Sequence, residues 1–402
     1  MMFAPIQPAW LDRQTLKRMV VPVCKAISIV SILVLLLSLT SCAGNPQLPL
    51  DSSDDTGTHN FETFADFDTS LYSAIMEAEA DWLVSIQTDS GAIPLALAMP
   101  IANINPYFAC FAALGLVEAG RYDAVIKYMD WHLSHLNRTP DVNGHVGTIY
   151  DWMEDVITGE EAPTKKYDST DSYAALFLML ADRFIAKSGN TEYFKDKKAD
   201  IELIYDAMMS TESYGLTWAT PTYKVKYTMD NSEVYAGIKS AENLMKTFYN
   251  DEAKSAEYNA KGQELSEALE EVLWNSNANR YYQGKGFNAV LPTDISQFYP
   301  DALCQFYPAL FGAIETQGAR AKQLFSTFSE NHDWTQIKTK EYPMVIMCQA
   351  AAAIGDYKRA HTYLVGVKTE YIDKNHPSPW YCMESGCSIL TAALMLEAAA
   401  EK

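Results

Sequence analysis

Basic residues are scarce in this chain of 402 residues: 31 Lys and Arg stand against 51 Asp and Glu, a net charge of −20. Such a surface repels a phosphate backbone, and no basic cluster interrupts it, so nucleic acid is excluded as a partner. Metal and cofactor signatures are missing too. The chain has no His-Glu-x-x-His, no cysteine–histidine zinc spacing, no glycine-rich phosphate loop and no serine elbow, so neither a metal nor a cofactor is expected. His132 and His135, three apart on an outer helix, read as a surface pair. "DVNGHVG" (141–147) has part of a calcium loop but lacks the closing glutamate. Cysteines number seven. Cys110, Cys304 and Cys348 sit in apolar runs as small hydrophobes, and only Cys382 and Cys387 are close enough in sequence to suggest a disulfide. A second linker is lacking as well, so 61–402 reads as one domain.

What is present begins with an address. Arg13, Lys17, Arg18 and Lys25 precede the apolar run "ISIVSILVLLLSL" and then "LTSC". A basic region, a short apolar core and small residues make a secretory signal over 1–41. A cysteine after the small pair resembles the bacterial lipobox, which implies that Cys42 is the acylated first residue of a lipoprotein. One acylated terminus holds a domain on a lipid bilayer without spanning it. The expected location is the cell envelope, facing the periplasm or the exterior. Residues 42–60 are polar and rich in turn formers, a flexible tether. Without 1–41 the basic and acidic counts fall to 27 and 50, a mature charge of −23.

The body reads as all-α. Apolar residues at helical spacing mark twelve helices, at 69–88, 107–119, 122–137, 170–187, 191–210, 231–249, 251–274, 300–313, 317–331, 342–354, 356–373 and 385–400. Odd members, such as "DEAKSAEYNAKGQELSEALEEVLW", carry charge along one face. Even members, such as "SYAALFLMLADRF" and "SILTAALMLEAAA", are apolar nearly all round and must be buried on every side. Turns from even to odd helices are short, and those from odd to even are long. Six such hairpins with a buried inner ring describe an (α/α)6 toroid of one monomeric domain, its long loops opening at one end.

Acids recur where the inner helices begin: Asp168 and Asp171 in "YDSTDSY", Asp230 and Glu233 in "YTMDNSEVY", then Asp301, Glu341 and Glu384. Each is acceptable as a helix cap. Convergence of the helices on one rim nevertheless brings the carboxylates together, where neighbours raise one another's pKa and an acid and a base can differ. Aromatics gather in the same loops: Tyr150, Trp152 and Tyr167 beside Asp151, then Trp218, Tyr223, Tyr227, Phe298, Tyr299, Trp380 and Tyr381. Flat rings at one rim suit stacking on the apolar face of a sugar. Lysine pairs (Lys165 and Lys166, Lys224 and Lys226, Lys338 and Lys340) precede three of the acids, a rim of cations that would hold an anionic glycan.

This pattern resembles the six-hairpin glycosidase superfamily, which includes glucoamylases, trehalases and unsaturated glucuronyl hydrolases. "YTMDNSEVYAGI" is similar to the Met-Asp-Asn segment opening the sixth helix of unsaturated glucuronyl hydrolases, which implies a proton-donor role for Asp230. In glucoamylase-like members the acid precedes the sixth helix and the base the twelfth, positions held here by Asp230 or Glu233 and by Glu384. "YDSTDSY" sits where glucuronyl hydrolases place a second essential aspartate, but the histidine usual beside it is missing. The expected activity is glycoside hydrolysis of an oligo- or polysaccharide by carboxylate acid/base catalysis, with inversion. A polysaccharide lyase or epimerase on the same toroid, or a glycan-binding lipoprotein without catalysis, are the alternatives.

Overall fold

The computed structural model describes residues 61–336 and 343–401. The signal sequence, Cys42, the tether, Lys338, Lys340 and Glu341 lie outside the described residues.

Twelve α-helices follow one another among the described residues. The first four are α1 (Thr69–Ile86), α2 (Pro106–Glu118), α3 (Tyr122–Ser134) and α4 (Asp171–Ser188). Next come α5 (Lys198–Met209), α6 (Thr228–Asn243), α7 (Glu252–Ala268) and α8 (Tyr307–Leu310). The last are α9 (Ala319–Asn331), α10 (Ile346–Ile354), α11 (Tyr357–Glu370) and α12 (Cys382–Ala400). Even-numbered helices touch in a closed circuit, α2 to α4 to α6 to α8 to α10 to α12 and back to α2. Odd-numbered helices pack outside, α3 on α2, α5 on α4, α7 on α6, and α1 on α12. Apolarity decides the sorting. Every residue of α2 from Ala109 to Val117 is buried, whereas α7 buries only Ser255, Tyr258, Gly262, Leu265 and Ala268, one stripe at helical spacing.

The circuit closes through two glycines. A Cβ on Gly386 of α12 would lie 2.3 Å from the Phe111 carbonyl oxygen of α2, and one on Gly115 would lie 2.8 Å from Gly386 Cα. Backbone meets backbone there, and no other residue fits without moving a helix.

Short turns such as Ala119–Arg121 lead outward, and long segments lead back to the ring. These long segments contain strands, which the helix-only reading missed. β1 (Ile101–Ile104), β2 (Trp152–Asp155) and β3 (Glu160–Pro163) form an antiparallel sheet joining the first two long segments. Hairpin β4 (Glu212–Ser213) and β5 (Leu216–Thr217) precedes β6 (Val225–Tyr227) in the third. In the fourth, β7 (Trp274–Asn275) pairs with β8 (Arg280–Tyr281), and β9 (Gly284–Gly286) lies between β6 and β10 (Val290–Leu291). Cross-loop pairing places neighbouring long segments on one rim.

Three expectations are corrected. The helix expected at 300–313 is broken into a π turn (Phe298–Ala302), a 3-10 turn (Leu303–Gln305) and α8, because Pro300 and Pro308 lack the N–H that a continuous ladder needs. Cys382 and Cys387 are free, buried thiols within α12. Five residues of helix carry their Cα atoms about 7.5 Å along the axis, beyond disulfide reach. His132 is not on the surface: it is buried, its ring stacked on Phe177 at 4.2 Å, and burial drives its pKa down to about 3. His135 is partly exposed beside it and lies 3.0 Å from Glu161.

Candidate functional site

Two inner-helix starts bring four carboxylates together. Asp171 is the first residue of α4, and Asp230 and Glu233 lie in the first two turns of α6. Asp168 stands just before α4 and is exposed. None of the four caps its own helix: Thr170 and Tyr227 occupy the cap positions of α4 and α6, and neither makes a side-chain cap bond. The Ser169 hydroxyl takes over that task, accepting from the Ser172 N–H at 3.0 Å. Capping therefore does not explain Asp168, Asp230 and Glu233, whereas Asp171 does take up one first-turn N–H, that of Ser172.

Asp171 is fully buried and well partnered. It accepts from Ser169 Oγ at 2.6 Å, from the Ser172 N–H at 2.9 Å and from Thr217 Oγ1 of β5 at 2.6 Å. Burial raises its pKa to about 6 and these donors oppose the rise. Glu233 is buried and accepts from Tyr107 Oη of α2 at 2.6 Å. Burial lifts it to about 8, against the pull of its hydrogen bonds and with help from the Asp171 charge. Asp230 keeps part of its surface open. Its pKa stands well above the usual carboxyl range, first from enclosure by protein and then from the charges of Asp171, Glu233 and Asp168. Tyr299, near these acids, is 52% exposed, its hydroxyl pKa raised by enclosure and then by Asp168, Asp230 and Glu233.

A neighbouring network holds Asp151. Tyr173 Oη donates to its Oδ1 at 3.0 Å, and Asn105 Nδ2 reaches the same oxygen at 3.2 Å and Tyr173 Oη at 2.8 Å. Enclosure lifts Asp151 to about 7, with the Asp168 charge adding to the rise. Asn105 also caps α2 through the Phe108 N–H. Tyr107, Tyr173, Asn105, Ser169 and Thr217 were not singled out from sequence. Their one signal is a tyrosine in the first turn of an inner helix, at Tyr107, Tyr173 and Tyr307, which in an apolar helix reads as core.

Glu384 belongs to a second group. It is buried in the first turn of α12, and its Oε2 accepts from the Val345 N–H at 2.6 Å, so it caps α10 rather than its own helix. Its Oε1 is buried without a partner. Burial raises its pKa to about 7, with the Glu79 charge adding.

Several rim residues are engaged in holding loops. Tyr150 is buried, stacked on Tyr167 at 5.9 Å, and its hydroxyl accepts from the Val142 N–H at 2.8 Å. Tyr167 donates to Asp141 at 2.9 Å, and Asp141 takes the Asn143 and His145 N–H groups, which explains "DVNGHVG" as a turn built on its own aspartate. Trp152 meets the His135 ring edge to face at 4.3 Å. Trp380 is 2% exposed, stacks on Tyr371 at 4.4 Å and donates to Ser385 Oγ, so it is packing and not an open platform. Asp301 accepts from the Asp294 N–H at 2.8 Å within its own loop. Lys226 is no free rim cation either. It is 4% exposed, donates to the Ser213 carbonyl and lies 4.8 Å from the Trp218 ring centre, and burial brings its pKa down to about 8. Lys165, Lys166 and Lys224 are exposed.

The chain matches no protein-family model and no curated protein by sequence. Solved structures do resemble it. A glycosidase superposes with a TM-score of 0.59 at 12% identity, covering 84% of this chain and 99% of its own. A mannosylglycerate hydrolase of Thermus thermophilus, in complex with glucose, gives 0.55 at 11%, covering 80% and 99%. A rhamnosidase of Klebsiella oxytoca with rhamnose bound gives 0.52 at 10%, covering 81% of this chain and 64% of that one. With its closed inner ring and long-loop rim, the chain has the six-hairpin toroid fold of the glycosidase type.

Proposed function

We propose that the protein is a glycoside hydrolase that cleaves an oligo- or polysaccharide by carboxylate acid/base catalysis, with inversion, on the outside of the cell and tethered by acylated Cys42. The observation that carries this reading is the electrostatics of Asp230. It is a partly open carboxyl whose pKa is raised well above the usual range, first by enclosure and then by the charges of Asp171, Glu233 and Asp168, the direction that a proton donor to a glycosidic oxygen requires. Glu384, on the far side of the ring order with one oxygen unengaged, is the base that takes a proton from the attacking water. Inversion needs about 6.5–9.5 Å between the two carboxyls for that water. Asp168 and Asp151 offer acceptors for sugar hydroxyls, and the exposed Tyr299 ring offers a stacking face.

A lyase or epimerase fits less well. Such enzymes on this scaffold use Tyr, His or Lys as base, and here Tyr107, Tyr299 and Tyr307 all have their hydroxyl pKa raised by enclosure and by Glu233, so their phenolates are disfavoured. Acid-rich walls with Lys226 withdrawn also favour a neutral sugar beside Asp230 over a uronate. A glycan panel read for new reducing ends and for ultraviolet absorbance separates the possibilities. Hydrolysis gives reducing ends without absorbance, lyase action gives both, and a binding protein gives neither.

A further inference from the structure

Behind the last rim segment lies a buried acid–base group with no task in the scheme above. Glu79 of α1 is fully buried, and neither of its oxygens has a hydrogen bond. His376, between α11 and α12, is nearly buried, and both of its ring nitrogens also lack one. The two face each other, His376 Nε2 lying 3.3 Å from Glu79 Oε2 without hydrogen-bond alignment. The imidazole is stacked at 4.7 Å on Trp82, one helical turn beyond Glu79. Its backbone is left-handed (φ 53°), as is that of Asn375 (φ 59°), so the segment bends unfavourably to deliver the ring. A buried carboxylate requires a counter-charge, and His376 is the partner that this bend supplies.

The pair is connected to Glu384. Trp380 lies 6.0 Å from the His376 ring and donates to Ser385 Oγ, on the residue following Glu384. Helix α1, which carries Glu79, packs against α12, which carries Glu384. Glu384 Oε1, Glu79 and His376 are thus all buried polar groups left without hydrogen bonds on adjoining elements.

We propose that Glu79 and His376 are positioning residues for Glu384, an ion pair that holds the last rim segment and fixes the charge that Glu384 carries. Held 3.3 Å from His376 Nε2, Glu79 has a partner for its charge, and Glu384 is left free to act as a base. Without the imidazole, Glu79 and Glu384 become two buried carboxyls on packed helices with no counter-charge between them, each disfavouring the other's ionisation. The other titratable groups facing Glu384 are Tyr363 of α11, Tyr371, and Cys382 and Cys387 of its own helix. Burial raises the pKa of each, so they remain neutral around pH 7 and the charge on Glu384 answers to Glu79 and His376.

This inference rests on reading Glu384 as the base, but its test needs no substrate. Infrared titration of the full chain follows the protonated-carboxyl band that Glu384→Gln abolishes. Glu79→Gln should move its midpoint down by about one pH unit, tenfold in the protonation equilibrium. His376→Gln should make a carboxyl band persist to higher pH, and the double variant should cancel that rise. Glu79→Gln keeps the shape of the side chain, so it tests the proposal even where His376→Gln does not fold. A midpoint unchanged or raised in Glu79→Gln would overturn the proposal, whatever activity assays show.

Discussion

Tyr107 Oη of α2 donates to Glu233 Oε1 of α6 across 2.6 Å, tying the first inner helix to the third inside the ring. The bond stabilises the ionised form of Glu233 against burial. Tyr107→Phe should therefore move the limb of the pH–rate profile that belongs to Glu233 to higher pH. Stability at neutral pH, where Glu233 is mostly protonated, should fall by about 0.5–1.5 kcal/mol, the range for an uncharged hydrogen bond. A pH profile that stays fixed while activity drops would show that Tyr107 only packs.

Stability itself should depend on pH in an unusual direction. Asp171, Glu233, Glu384 and Asp151 have folded pKa values of about 6, 8, 7 and 7, above the ordinary 3.8 or 4.5. Each binds its proton more tightly folded than unfolded, so the folded state holds more protons between about pH 4 and pH 8. The stabilisation is complete below the ordinary carboxyl pKa and is lost as pH rises through the folded values. Thermal melting should thus be higher at pH 5 than at pH 8, and Glu233→Gln should flatten that slope. A melting temperature that rises steadily toward pH 8 would contradict the picture of buried, protonated acids.

Asp168 and Asp171 should separate cleanly. Asp171→Ala strips partners from Ser169 and Thr217 inside the protein and should cost about 1–3 kcal/mol or more for the donors left unsatisfied. Asp168 is exposed and caps nothing, so Asp168→Ala should leave the melting temperature nearly unchanged while lowering turnover. Equal losses of stability in the two variants would show that Asp168 is also structural.

Lys226→Gln should destabilise the rim without altering charge selectivity, because its ammonium lies on the Ser213 carbonyl and the Trp218 ring. KM for a neutral glycan should respond equally at low and high salt. A salt-dependent change confined to an anionic glycan would restore the cationic-rim reading.

The ring was legible because it is written in local pattern. Helices apolar on all sides, such as α2 and α12, can only be inner, and the single buried stripe of α7 can only be outer. The strands of the rim were not, since pieces of two to four residues such as β4 and β9 are too short for alternation to register. Acids at helix starts were legible as neighbours, and the structure does gather Asp168, Asp171, Asp230 and Glu233 at the starts of α4 and α6. Their supporting donors come from other hairpins: Tyr107 for Glu233, Thr217 for Asp171, Val345 for Glu384. Such pairings span up to 126 residues and leave no local trace. Aromatic loop positions misled at Trp380 and Tyr150, because stacking on a sugar and stacking on a neighbouring tyrosine draw on the same residue types.

The proposed hydrolase depends on Asp230 as proton donor in glycosidic cleavage. The most direct test follows product formation by proton NMR, with wild type and Asp230→Asn side by side on a substrate identified from a neutral glycan panel. Wild type should release the inverted anomer first, and Asp230→Asn should turn over about 10²-fold or more slowly, with its fold intact. An Asp230→Asn protein that cleaves at the wild-type rate, or a wild type that yields unsaturated products, would contradict it.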